Sequence, residues 1–294
     1  MNFSTGLDFP EGPVALPDKS WLVVEMGGGA GCVTHISPDG KTKRRIAKTG
    51  RPNGLVVDQL GYLWVAESLK ASLIRMDMDG NYEVWLTECN GLPFIFPNDL
   101  AFGPDGLLYM TDSGITVEEF LPNEMINPNY ASLKYDGRVY QIDTTTRKAH
   151  LVDRGLLFTN GIAFGPDNDL YANETLTGNV YRYARKRSGF GPRQLFGNVI
   201  DPLAPPGWKG PDGMKFGMDG NLYVTVFAQG DVTVLDPNGK VVNRIKTGGL
   251  KPTNLAFGLE GEKKIYVTEV EKGNLEIHDV ETSGYPLHYG GRTG

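Results

Sequence analysis

Short apolar runs alternate with turn residues along the whole chain, and the alternation repeats. Six segments align by eye: FPEGPVALPDKSWLVVE from Phe9, RPNGLVVDQLGYLWVAE from Arg51, FPNDLAFGPDGLLYMTD from Phe96, FTNGIAFGPDNDLYANE from Phe158, GPDGMKFGMDGNLYVTV from Gly210 and PTNLAFGLEGEKKIYVTE from Pro252. Each opens on a polar residue followed by a short apolar run. A turn rich in Asp, Gly and Pro comes next, then an apolar run with a central aromatic. The β-branched and aromatic content of the runs predicts strands, and the turn residues between them predict a hairpin. Between these segments lie stretches such as CVTHISPDGKTKRRIAKT and VTVLDPNGKVVNRIKTG, whose apolar–polar alternation suits half-exposed outer strands.

Four strands per repeat and six repeats predict an all-β fold, a six-bladed β-propeller with four-stranded blades. The leading polar residues Glu11, Asn53, Asn98, Asn160, Asp212 and Asn254 are separated by 42, 45, 62, 52 and 42 residues. The long third interval predicts an inserted loop, 115–137, placed to cover a site. Residues 1–294 read as a single propeller domain. A closed ring must join its ends, so residues near Asn2–Leu7 are expected to supply the outer strand of the sixth blade.

Composition narrows the function. The chain has 294 residues and a net charge of -6, which leaves no basic footprint for nucleic acid or an anionic membrane. No run approaches the length and apolarity of a membrane span, and the N-terminus shows no secretory pattern. With only Cys32 and Cys89 there is no disulfide framework, and a cytoplasmic location is the default expectation. Glycine (39) and proline (19) are spread along the chain, which implies many tight turns rather than a flexible linker. Oligomeric state has no signature.

In a propeller the first strand of each blade lines the central channel, so the six leading polar residues are expected to form a ring. Asn and Asp also cap turns before strands, which accounts for most of the ring but poorly for Glu11. Converging carboxylate and amide oxygens suit a hard divalent cation. Fourteen residues after the first five ring positions lie Glu25, Glu67, Asp112, Glu174 and Val226, and Glu269 follows Asn254 by fifteen. These acidic positions are expected to be structural, at strand ends beside solvent.

At PEGPV (10–14), PND (97–99), TNG (159–161) and GPDGM (210–214) the chain resembles the senescence-marker protein, gluconolactonase and luciferin-regenerating enzyme family. The resemblance implies a metal-dependent hydrolase, usually a lactonase. It assigns Glu11, Asn160 and Asp212 to one divalent cation, calcium foremost, with zinc, magnesium, manganese or iron also admissible. It assigns Asn98 to the metal or the substrate. Asp212 is the candidate general base. Members acting on sugar lactones carry Arg where this chain has Phe96. Together with Phe158 and Trp208 this points to a less polar lactone or ester, with Asn98, Asn53, Phe96, Phe158 and Trp208 as substrate-binding candidates in a pocket shaped by loops 92–97, 115–137 and 200–211. A phosphotriesterase or aryl esterase on the same site, and a non-enzymatic ligand-binding propeller, are the alternatives.

Overall fold

The structure, a computed structural model, describes residues 1–290. Six four-stranded antiparallel sheets follow one another along the chain. Their innermost strands are Pro10–Ala15, Pro52–Val57, Pro97–Phe102, Thr159–Phe164, Gly210–Phe216 and Pro252–Phe257. Each innermost strand contacts that of the next blade, and the last contacts the first, so the ring closes. Asn2–Thr5 pairs antiparallel with Asn274–Asp279 as the outermost strand of the sixth blade. Among the described residues no helix is long and apolar enough to cross a membrane. Both cysteines are buried and free.

The repeated residues explain the blade. In five of the six hairpins the turn carboxylate accepts a hydrogen bond from the aromatic of the second strand; in the first, Asp18 accepts from Ser20 instead. Trp64 Nε1 donates to Asp58 at 2.9 Å, and the hydroxyls of Tyr109, Tyr171, Tyr223 and Tyr266 donate to Asp105, Asp167, Asp219 and Glu262 at 2.8, 2.9, 3.2 and 3.1 Å. The polar tip is thereby satisfied while the ring packs outward against the next blade. Tyr109 meets Phe164, Tyr171 meets Phe216 and Tyr223 meets Phe257, with centroids 4.9, 4.9 and 5.1 Å apart. Every blade–blade interface holds its own apolar cluster of this kind, the last joining Trp21 and Val23 to Tyr266 and Leu275.

The acidic residues that end the second strands are structural, but Glu67, Asp112, Glu174 and Glu269 are buried rather than solvated. They accept backbone N–H groups from the turn that leads into the inner strand. Glu67 takes Arg51 N at 2.7 Å, Asp112 takes Ile95 N and Phe96 N at 2.8 and 2.9 Å, Glu174 takes Leu157 N at 2.7 Å and Glu269 takes Lys251 N at 3.0 Å. A buried backbone donor must be paired, and the acid at each strand end does this.

Near the axis the inner strands approach backbone to backbone. The residue after the ring position is glycine in four blades: Gly12, Gly54, Gly161 and Gly213. A Cβ on Gly54 would lie 2.6 Å from Asn98 O, and one on Gly161 would lie 2.2 Å from Asp212 O. We expect Gly161→Ala to destabilise the protein by about 1–3 kcal/mol through this overlap, read as a lower urea midpoint. An unchanged midpoint would show that the neighbouring strand yields freely.

Candidate active site

All six inner strands slip register at the ring position. The breaks fall between Glu11 and Val14, Pro52 and Leu55, Pro97 and Leu100, Thr159 and Ile162, Pro211 and Met214, and Pro252 and Asn254. A β-bulge frees a residue from the regular pleat and re-aims its side chain. Here the bulges hold Glu11, Asn53, Asn98, Asn160 and Asp212 in five blades; in the sixth the bulge holds Thr253 instead of the expected Asn254.

Side chains tie the inner strand of the fourth blade to the third, the fifth to the fourth, the sixth to the fifth and the first to the sixth. Thr111 Oγ1 donates to Asn160 O, and Asn173 Nδ2 donates to Asp212 O at 2.6 Å. Thr225 Oγ1 donates to Thr253 O at 2.7 Å, and Thr253 Oγ1 donates to Pro10 O at 2.8 Å. The residues flanking Glu11, Asn98, Asn160 and Asp212 are thus stitched around the axis although they lie far apart in the chain.

Two of the amides are oriented by hydroxyls. Ser113 Oγ donates to Thr159 O at 3.0 Å, so its lone pair accepts Asn98 Nδ2 at 2.9 Å. Thr175 Oγ1 donates to Pro211 O at 2.8 Å and accepts Asn160 Nδ2 at 3.3 Å. With the amide nitrogens committed, Asn98 Oδ1 and Asn160 Oδ1 are left buried without a partner, as are both carboxylate oxygens of Glu11. Unpaired buried polar atoms cost roughly 1–3 kcal/mol each, and all four of these acceptors belong to residues at the inner-strand bulges.

The field at the site is negative. Burial drives the Glu11 carboxyl well above the ordinary glutamate range, and the neighbouring Asp99 and Asp212 raise it further. Asn254, alongside but not in hydrogen-bonding geometry, and Lys215 offset part of this. Asp212 is likewise raised, first by burial and then by Asp99, with the Asn160 amide and Gly213 N–H opposing. Asp212 retains some exposure while Glu11 is 2% exposed.

Asp99 is the residue sequence reasoning passed over. It occupies the position after the bulge residue in the third blade, where four blades have glycine and the sixth has Asn254, whose N–H likewise donates to a second-strand threonine and whose Oδ1 likewise accepts the next N–H. Its signal was being the only carboxylate in that column. Buried at 2% exposure, it accepts Leu100 N at 2.8 Å and acts on both Glu11 and Asp212.

The other candidates divide. Asn53 is buried in its bulge, whereas the register break of the sixth inner strand falls at Thr253, and the buried Asn254 pairs with Thr268 one position past the ring. Phe96 and Phe158 are 2% and 3% exposed. They belong to an apolar cluster with Ile115, Phe120 and the partly buried Trp208. Phe158 packs 4.6 Å from Phe120 and 5.3 Å from Trp208, centroid to centroid. Much of the surface of Phe96 and Phe158 is therefore spent on holding segment 115–137. That segment has structure of its own, a single helical turn, Val117–Phe120, capped by Thr116 and Glu119 in a reciprocal box, and two tight turns. Glu124 at its far end reaches the first blade, where a Cβ on Gly28 would lie 2.5 Å from Glu124 Oε1.

Among the described residues no three carboxylate, imidazole or thiol groups form a metal-binding set. A cation would here depend on amide oxygens as well. The donor set fits a hard cation: oxygens only, four of them orphaned, inside a negative field.

A family model described as SMP-30/Gluconolactonase/LRE-like region matches residues 9–271. The chain belongs to this family. The matched span runs from the bulge at Glu11 to past Asn254, so all six ring positions of this family member lie inside it. A curated gluconolactonase of Zymomonas mobilis is 26% identical over 88% of the chain and 76% of its own length. The fold is that of two solved structures. One is a gluconolactonase from Xanthomonas campestris, with TM-score 0.77 and 22% identity over 97% of this chain and 89% of the other. The other is a calcium-binding regucalcin from Agrobacterium tumefaciens, with TM-score 0.77 and 18% identity over 98% and 95%.

Two outcomes are expected for the site. Ser113→Ala and Thr175→Val free the amides they orient, and the affinity of these oxygens for a divalent cation, titrated by calorimetry with calcium as the probe, should fall about 10–100-fold. Equal affinity in both variants would remove the hydroxyls from this role. The second concerns pH in the presence of chelator. The folded protein binds the Glu11 proton more tightly than the unfolded chain. That contribution to stability is complete below the ordinary glutamate value of about 4.3 and is lost as pH rises through the raised folded value. Glu11→Gln should therefore exceed wild type in stability near about pH 8 and lose the advantage on acidification. The measurement is denaturant unfolding at both pH values, and a pH-independent difference would contradict it.

Proposed function

We propose that this protein is a divalent-metal-dependent hydrolase that opens a lactone ring, with Glu11, Asn98, Asn160 and Asp212 as the metal-holding residues. The observation that carries the reading is the set of four orphaned oxygens on Glu11, Asn98 and Asn160, grouped beside a second carboxylate whose proton is held tightly. Family membership and the gluconolactonase relative support the choice of a lactone among acyl substrates. Calcium is the foremost cation by donor chemistry and by likeness in fold to a calcium-binding regucalcin.

A bound cation supplies Lewis acidity toward the ester carbonyl and toward water. The chain's own groups do the rest. Asp212 takes a proton from water as the water oxygen adds to the carbonyl carbon. The ring carbon–oxygen bond then breaks, and the ring oxygen leaves with a proton returned from Asp212. Burial and the Asp99 charge keep the Asp212 carboxyl more basic than a free aspartate, which suits a general base. The bulges and hydroxyl ties hold these oxygens before substrate arrives, so little reorganisation is spent on binding. The half-buried Trp208, backed by the buried Phe96 and Phe158, would give the mouth an apolar side and favour a lactone with fewer hydroxyls than a sugar lactone.

The test is hydrolysis of a panel of lactones, aryl esters and organophosphates, with chelator and after re-addition of single cations. Lactone turnover should vanish with chelator and return with calcium. Asp212→Asn should lower kcat by about 100-fold or more with an unchanged circular dichroism spectrum. Near-normal turnover by this variant, or full activity in chelator, would overturn the assignment. Turnover of organophosphates alone would move the substrate class.

A further inference from the structure

The mouth holds a cation that the catalytic reading does not use. Arg51 lies in the turn that enters the second blade, two residues before Asn53. Its guanidinium carbon sits 5.6 Å from the centroid of Phe96, the ring two residues before Asn98. The side chain donates to Ser68 Oγ at 3.3 Å. No ion pair among the described residues includes it. A guanidinium carries five N–H donors, so most of the fork is unspent.

The surroundings make this unusual. Arg51 is only partly exposed, and burial brings its pKa down to about 10 against the opposing pull of Glu67 and Glu124. Glu67 spends one oxygen on Arg51 N and Leu69 N, at 2.7 and 3.0 Å. Glu124 is on the segment that roofs the mouth. Neither neutralises the guanidinium by contact. A half-buried cation that stacks on an aromatic and keeps a free planar fork is built to receive a planar or tetrahedral oxyanion.

We infer that Arg51 is a specificity-determining residue that binds an anionic oxygen group, a carboxylate, sulfonate or phosphate, on the lactone substrate. Phe96 of the third blade backs the guanidinium, and the second blade supplies the charge. The two parts come from neighbouring blades, and Phe96 stands two residues before Asn98. The inference rests on the lactonase reading for its substrate and deepens it. The substrate would present its ester to the channel oxygens and its anion to Arg51, whose guanidinium the buried Phe96 backs.

The experiment compares γ-valerolactone with γ-carboxy-γ-butyrolactone, the same ring bearing a methyl or a carboxylate on one carbon. Wild type, Arg51→Met, Arg51→Lys and Glu124→Gln are assayed for kcat/KM on both. Wild type should prefer the carboxylate, Arg51→Met should lower that preference about tenfold or more, and Arg51→Lys should fall between. A preference unchanged within about twofold in Arg51→Met overturns the inference. So does an equal loss on both lactones that Glu124→Gln reproduces, because Arg51 would then serve only to hold the roof. Calorimetric titration with 2-hydroxyglutarate and 4-hydroxyvalerate, the two opened products, separates this from the lactonase reading. If wild type opens neither lactone, that reading fails. Tighter binding of 2-hydroxyglutarate, lost in Arg51→Met, still supports the anion site, and its absence overturns it.

Discussion

Everything at the mouth depends on how closely six inner strands must crowd at the axis. Blades can close a ring only if neighbouring backbones meet with almost nothing between them. Glycine after the ring residue permits this in four blades, where the next strand's carbonyl or side chain occupies the space of a Cβ. The bulge beside it relieves the regular pleat and turns the preceding side chain toward the channel. Packing at the axis and aiming of polar side chains are therefore one event, and the bulk of the propeller serves it by stacking tyrosine on phenylalanine between blades.

That arrangement carries an electrostatic cost. Glu11, Asp99 and Asp212 sit buried within one another's influence, and only Lys215 and neighbouring amides oppose them. The hydroxyls of Ser113 and Thr175 hold two amides with their nitrogens turned away. Each such choice leaves oxygen unsatisfied in the same place. A protein gains no stability from this, and strain of this kind is retained where it prepares a site. Asp99 deepens the field without standing on the ring itself, which gives the two ring carboxylates a common cause for their shifted titration.

Above the channel the chain uses its longest insertion as a roof. The aromatic side chains read from sequence as pocket walls are largely turned toward this roof, with Phe96 and Phe158 packed beneath Phe120. Arg51 lies against the ring of Phe96 and brings a positive charge next to this apolar cluster.

The repeat, the blade count and the polar column were written in local pattern, because strand period, turn chemistry and repeat length are properties of neighbouring residues. Glu11, Asn98, Asn160 and Asp212 could be named from that column, and the family resemblance at PEGPV, PND, TNG and GPDGM narrowed their roles. The burial of Glu67, Asp112, Glu174 and Glu269 was not legible, since an acid at a strand end looks the same whether it meets water or an incoming backbone amide. Nor was Asp99's influence on two other blades, nor the placement of Arg51 over Phe96, forty-five residues away. Those facts arise from contacts between blades, and only closure of the ring decides which residues of different blades share a few ångströms of space.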